Sequence, residues 1–486
     1  MKKIVVLFLV LTFAVSVSLI GVSCKTTAAA AETTAAAAET TTAAAETTAA
    51  AKPFEGVKLT IASPSGYWAE PLKDFIPKWE EKTGAKVEIV EIPFEQFYDK
   101  MMAEAVAGSG VYDVLSLLNL WMADYAGPGR LLDLDPYIDK VKEADPTWWE
   151  DIHPTFRDKL SIYNGVHYSL VADGDVFIFY YNKDLFNNPE EKKAFEAKYG
   201  YPLAVPKNFD QYRDIAQFFT RPKDNLYGVV EEATKGRNQW FFFQRLRALT
   251  DGYIYFDPDT MKPAFNTDLG VKALENQIEC VTKYAPPGTI TWNIREAMES
   301  FSSGQVAMQI NWPDTGTFAN DPKTSTIVGK VGYDLVPGGA TMLPGGWTLA
   351  IAKATKNPDA AFDLIKEITG PEEALVTNMG PWGHDPWRLS VMHSDEFKNK
   401  FEGAADFLKA DEANVTSGGN GNGYDLSVPG TFEYYDALSA QIARAFVGEI
   451  TAKQALDNAA ADWEKITDRL GRENQKTLYR GSLGLK

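Results

Sequence analysis

Two apolar runs, Tyr168 to Ala172 and Val176 to Tyr181, stand head to tail with only Asp173-Gly174-Asp175 between them. Each run is short and rich in β-branched or aromatic residues, the composition of a buried strand. One buried sheet does not hold two carboxylates and a glycine in mid-strand, because an ionised carboxylate loses far more solvation there than its apolar neighbours return. The chain is therefore expected to leave one sheet at Ala172 and enter another at Val176, with both carboxylates facing the space between. Such a break calls for two cores, and 486 residues are enough for them, since single cores stop growing at roughly 250–300 residues.

Upstream of the break the pattern is that of βαβ units. Val57 to Ala62 alternates as a half-buried strand, and Ser65, Gly66, Tyr67 and Trp68 form a turn at its end. Leu72, Phe75, Ile76 and Trp79 then recur at helical spacing, Gly84 closes that helix, and Val87 to Ile92 is a second strand. Phe97 to Ala107 reads as a helix and Tyr112 to Leu118 as a nearly continuous apolar strand, which predicts a mostly parallel sheet covered on both faces. In α/β sheets ligands bind beyond the carboxyl ends of the strands. That rule selects Ser65 to Trp68, Asn119 and Trp121, and Asp173 to Asp175.

The N-terminus carries a different message. Lys2-Lys3, an apolar run from Ile4 to Val15 and small residues before Cys24 form a secretory leader over residues 1–23. The segment ending in Cys24 resembles a bacterial lipoprotein cleavage box, in which the cysteine is lipidated, although Gly21 stands where that box usually has leucine. Residues 25 to 51 are almost wholly Ala, Thr and Glu, with nothing to bury, and read as a tether. Taking Lys2 and Lys3 from the 48 basic residues leaves 46 against 66 acidic ones, a net charge of −20 that excludes nucleic acid as a natural partner. Cys280 is the only cysteine besides Cys24, so no intramolecular disulfide is expected once Cys24 is lipidated.

The segment Tyr180 to Phe186 following a broken strand, Trp121 to Asp135 with its glycine-rich turn, and above all Ala297 to Asp314, a short helix, a Ser-Gly turn and a strand ending in Asn311-Trp312-Pro313-Asp314, resemble the extracellular solute-binding proteins of sugar-importing ABC transporters. Gly329 to Gly339 and Gly345-Gly346-Trp347 continue that likeness into a second crossing. The resemblance implies a type II periplasmic-binding-protein fold: an N-terminal lobe of 57–172 plus 347–385, and a C-terminal lobe of 173–346 plus 386–486. Each lobe is expected to be a mostly parallel sheet flanked by helices, with hinge strands between them. It further implies a monomer that closes on its ligand and presents the closed face to permease subunits, anchored to the membrane through lipid alone.

Chemistry narrows the ligand. Trp68, Trp121, Trp312 and Trp347 lie at expected strand ends beside glycine, proline or carboxylate, where an aromatic face suits the apolar patch of a sugar ring. Asp173, Asp175, Asp314, Asn119 and Asn311 offer acceptors for its hydroxyls, and the resemblance favours Asp175 as a ligand contact. Trp240, Gly346, Arg388 and Tyr435 complete the expected set. Arg388 is the only cation in view, so a neutral mono- or disaccharide or a polyol fits better than an anion. Four scattered histidines give no transition-metal site, and neither a phosphate-binding loop nor a Gly-x-Ser-x-Gly elbow is present, so no cofactor, metal or catalytic residue is expected. The alternative is a secreted hydrolase or lyase using Asp173 and Asp175, or either with Asp314, as a carboxylate pair.

Overall fold

The computed structural model describes residues 52–66, 68–342, 345–418 and 424–485. Cys24, the tether and Tyr67 lie outside the described residues. Strands β1 (Lys58–Pro64), β2 (Lys86–Ile92) and β3 (Val114–Leu118) precede a two-stranded hairpin, β4 (Ile162–Tyr163) and β5 (Val166–His167), and β6 (Ser169–Val171). β7 (Ile178–Asn182), β8 (Tyr227–Val230), β9 (Val306–Asn311), β10 (Val331–Asp334) and β11 (Trp347–Ile351) follow. Asn164 and Gly165 turn the hairpin with φ of 50° and 83°, the left-handed pair that a two-residue loop between twisted strands demands.

Two larger sheets organise the body. The first runs β2-β1-β3-β11-β6 and the second β10-β7-β9-β8. The chain passes from β6 in the first sheet to β7 in the second across Asp173-Gly174-Asp175, so the break is a crossing between sheets. It returns between β10 and β11, and passes over again ahead of the helix Ala404–Gly418, which packs on β7 and β10.

The sheets are mixed rather than mostly parallel. β1 pairs in parallel with β2 and β3, but β11 runs antiparallel to both β3 and β6. In the second sheet only β8 and β9 are parallel, and β7 is antiparallel to β9 and β10. The reason is topological. β7 and β11 enter their sheets from a crossing rather than from a βαβ helix, so nothing forces them to run with their neighbours.

Strand alternation divides the core. Phe177 and Phe179 belong to one apolar cluster, while Val176, Ile178 and Tyr180 belong to the other. Both faces of the strand are thus buried, as its unbroken apolar sequence requires. The folded body begins before β1. Phe54 stacks on Trp79 with ring centroids 6.0 Å apart, and its amide donates to Thr83 O at 2.9 Å. No helix among the described residues is long and apolar enough to cross a membrane.

Candidate functional site

The crossing is pinned where it leaves the first sheet. The amides of Ala172 and Asp173 both donate to Trp347 O, at 2.9 and 3.1 Å, so the end of β6 is held beside the start of β11. Gly174 N donates to Asp385 O at 3.2 Å, and Asp385 N donates to Asp173 Oδ1 at 2.7 Å. These cross-ties bring a fourth acidic residue, absent from the sequence-based set, against the predicted carboxylates.

A cavity of about 480 Å³ of unfilled space, part of it open to solvent, lies there. Trp68, Phe94 and Trp347 line it from the first-sheet side, with Trp240 and Trp312 opposite. Asp173, Asp175, Asp314 and Asp385 line it too, together with Arg237. Trp68 stacks on Phe94 at 5.7 Å and meets Trp347 at 5.5 Å, while Trp240 and Trp312 meet edge to face at 5.7 Å. Each wall is therefore a rigid aromatic block. Trp312 is held from behind by its indole N–H, which donates to Glu232 Oε1 at 2.5 Å, and by its carbonyl, which accepts from the Tyr180 hydroxyl at 2.7 Å. Trp240 Nε1 donates to Asp425 Oδ1 at 3.2 Å.

Electrostatically the cavity is dominated by burial of its acids. Burial, with Asp314 and Asp425 nearby, pushes the Asp175 carboxyl up to about 8 despite a bond to Asp385. Asp173, Asp314 and Asp385 are also raised well above the usual carboxylate range, by burial first and next by Asp175, Glu232 and Asp173 respectively. Arg237 is the cation lining this space. Its Nε lies 3.6 Å from Glu232 Oε2, and its guanidinium sits 5.0 Å over Phe94 and 5.7 Å over Trp240.

Trp68, Asp173, Asp175, Trp240, Trp312, Asp314 and Trp347 thus share one cavity, and the other predicted contacts stand elsewhere. Asn119 and Gly346 bond each other: Asn119 N donates to Gly346 O at 3.1 Å and Gly346 N to Asn119 Oδ1 at 3.2 Å. Ser65 and Gly66 lie outside the lining. Trp121 is a core residue, 2% exposed and edge-on to Trp347 at 5.9 Å, because the turn after β3 folds it inward. Asn311 is fully buried at the end of β9, and neither amide atom has a hydrogen-bond partner. Tyr435 stands behind the wall, donating to Asp425 Oδ1 at 2.8 Å.

Arg388 requires the largest correction. It is 0% exposed, donates to Thr369 O, Trp148 O and Asp151 Oδ2 at 2.7, 2.8 and 3.1 Å, and lies 4.6 Å over Trp148. With Nε and Nη1 committed to Thr369, Trp148 and Asp151 and the whole side chain 0% exposed, this guanidinium is not available to a ligand. The facing cation is Arg237, just ahead of the helix Asn238–Arg247. Its only sequence signal is a charge placed three residues before the aromatic run Trp240 to Phe243. Phe94, just beyond the tip of β2, was missed as well: the helix was expected from Phe97 and begins at Phe94.

A wider space of about 1280 Å³ opens between segments 158–165, 424–427 and 478–483 and touches Asn119 and Asp425. Its described lining holds four tyrosines, Tyr163, Tyr255, Tyr424 and Tyr479, but no tryptophan and only two carboxylates, Asp158 and Asp425, against four of each in the smaller cavity, which is the better candidate.

A probable amino-acid ABC transporter periplasmic-binding protein of Sinorhizobium fredii is 26% identical over 359 residues, 71% of this chain and 76% of that protein. An erythritol/L-threitol-binding protein of Mycolicibacterium smegmatis is 24% identical over 360 residues, covering 69% of this chain and 71% of its own. Among solved structures, an ABC transporter solute-binding protein of Agrobacterium radiobacter in complex with ribitol superposes with a TM-score of 0.73 at 26% identity, over 85% of this chain and all of that one. The fold is the two-lobed periplasmic-binding fold. Residues 62–375 match the family described as bacterial extracellular solute-binding protein, and this chain belongs to that family.

Proposed function

We propose that this protein is the extracytoplasmic substrate-binding component of an ABC importer, and that it captures a neutral polyol or small sugar in the cavity between its two sheets. One observation carries the reading: aromatic walls from both sheets face each other across four carboxylates. The walls cover the apolar C–H surface of a polyol, while the four acids, which burial holds towards their protonated forms, both donate hydrogen bonds to its hydroxyls and accept them. The relatives that bind erythritol or threitol and ribitol support the class. The amino-acid transporter relative favours a second reading. An amino acid, however, would bring its carboxylate among four acids with Arg237 as the one facing cation of the described lining.

Binding closes the N-terminal lobe (57–172 plus 347–385) on the C-terminal lobe (173–346 plus 386–486), and the closed monomer delivers its ligand to the permease. The mature chain starts at Cys24, whose thiol carries lipid, and the Ala/Thr/Glu tether spaces the body from the membrane. A Cys24→Ser variant then moves to the soluble fraction; a wild type equally soluble refutes the anchor. The ligand leaves unchanged, without hydrolysis. The test is a thermal-shift panel of erythritol, ribitol, mannitol, maltose and several amino acids, with chromatography of the recovered ligand. A polyol or sugar is expected to raise Tm and to be recovered intact. Stabilisation by amino acids alone, or cleavage abolished by Asp175→Asn, overturns the reading.

A further inference from the structure

The carboxylates of the cavity are arranged more tightly than hydroxyl recognition needs. One oxygen from each of Asp173, Asp175 and Asp385 lies within 4.8 Å of the other two. Oxygens on opposite sides of a calcium ion, at about 2.3–2.6 Å each, are roughly 4.6–5.2 Å apart, so a single ion reaches all three at once. The set is held by backbone: Asp385 N on Asp173 Oδ1 and Gly174 N on Asp385 O fix the two segments together. A second observation lies outside the triad. Asp314, 8% exposed and lining the same cavity, leaves its Oδ1 without a hydrogen-bond partner. Among the described residues no lysine or arginine forms an ion pair with any of these four acids, and Arg237 pairs with Glu232 instead.

We propose that Asp173, Asp175 and Asp385 form an oxygen-only site for a hard divalent cation of calcium's size, with Asp314 at its margin. Three carboxylates leave open positions on an ion that takes six to eight oxygens, and adjacent hydroxyls of a polyol fill them by chelation. The hydroxyl half of this assignment rests on the proposed function; the cation half does not. The absence of thiol and imidazole among the described residues of the lining disfavours zinc and copper.

Terbium tests the ion alone, because tryptophan emission sensitises it at short range and Trp68, Trp312 and Trp347 line the same cavity. The mature wild type is expected to give Tb³⁺ luminescence that Ca²⁺ displaces, and Ca²⁺ is expected to raise its Tm. Asp385→Asn, which keeps side-chain volume, weakens both by about tenfold or more. Asp175→Asn, at a half-buried position, serves as the second variant should the first fail to fold. Luminescence that is missing, or unchanged in both variants and therefore due to surface acids, overturns the cation site. Titration of ribitol or erythritol in EDTA and in Ca²⁺ tests the bridge, with affinity expected to fall at least about tenfold in EDTA. Equal affinity in both refutes the bridge and leaves polyol binding standing. Luminescence without polyol binding in either buffer supports the cation site and refutes the polyol reading.

Discussion

Gly174→Ala should be among the most damaging single-methyl additions in the chain. A Cβ at this position would stand 2.1 Å from Pro386 O, 2.8 Å from Pro386 C and 3.1 Å from Phe156 Cε2. Comfortable contact needs about 3.5 Å, so one of the two crossing segments must move by more than about 1 Å. That movement works against the bonds of Asp173 N to Trp347 O, Gly174 N to Asp385 O and Asp385 N to Asp173 Oδ1, at 3.1, 3.2 and 2.7 Å. Overpacking strain costs about 1–3 kcal/mol and each buried bond broken about 1–3 kcal/mol, so a loss of about 3–5 kcal/mol is expected. Urea denaturation followed by tryptophan fluorescence measures it. Gly481→Ala is the control: it lies in the helix Arg472–Ser482, its Cβ meets nothing within 4 Å, and a gain of up to about 1 kcal/mol is expected. If Gly174→Ala unfolds within about 0.5 kcal/mol of wild type, the crossing is not pinned as described.

Asp411 is fully buried, neither carboxylate oxygen has a hydrogen-bond partner, and burial first, then Glu412, raises it well above the usual carboxylate range. The folded protein therefore keeps a proton that the unfolded chain releases above about pH 4, so this group's stabilising contribution is complete at low pH and fades as pH rises. Asp411→Asn should raise stability at pH 7–8 and show a gain that shrinks towards pH 4; a pH-independent difference contradicts the assignment. Arg245, 0% exposed, donates to both Glu231 oxygens, to Asn276 Oδ1 at 2.9 Å and to Phe241 O at 3.0 Å. Arg245→Met should cost about 3–5 kcal/mol, and adding Glu231→Leu should recover part of it because the stranded charge is gone; equal or greater loss in the double variant refutes this.

The crossing was legible because three turn-prone residues between two buried strands leave the chain little choice but to change sheets. β1 to β3 and their helices were legible for a related reason, since the hydrophobic period changes cleanly from two to about 3.6 within βαβ units. Strand direction after the crossing was not, because a buried strand has the same apolar sequence whichever way it runs. Tryptophan roles divided on a similar point. Trp68, Trp312 and Trp347 reach the cavity while Trp121, one short turn beyond β3, packs into the core, and a strand-end position does not say which way the next turn rolls. Asp385 and Arg237 were missed because their partners, Asp173 and Phe94, are more than a hundred positions away. Arg388 stood in a stretch that resembled the family, yet its guanidinium satisfies the carbonyls of Thr369 and Trp148, 19 and 240 positions away, a use no spacing reveals.

The central claim is that a neutral polyol or sugar sits between the aromatic walls and is held by the carboxylates. Isothermal titration of the best panel ligand into wild type, Trp68→Ala and Asp175→Asn tests it most directly, because both positions are half-buried and each variant's fold is checked separately by denaturation. Removing one aromatic face or one buried carboxyl should cost about 1–3 kcal/mol, a loss of roughly 5- to 150-fold in affinity. Binding undiminished in both variants would place the ligand somewhere other than this cavity.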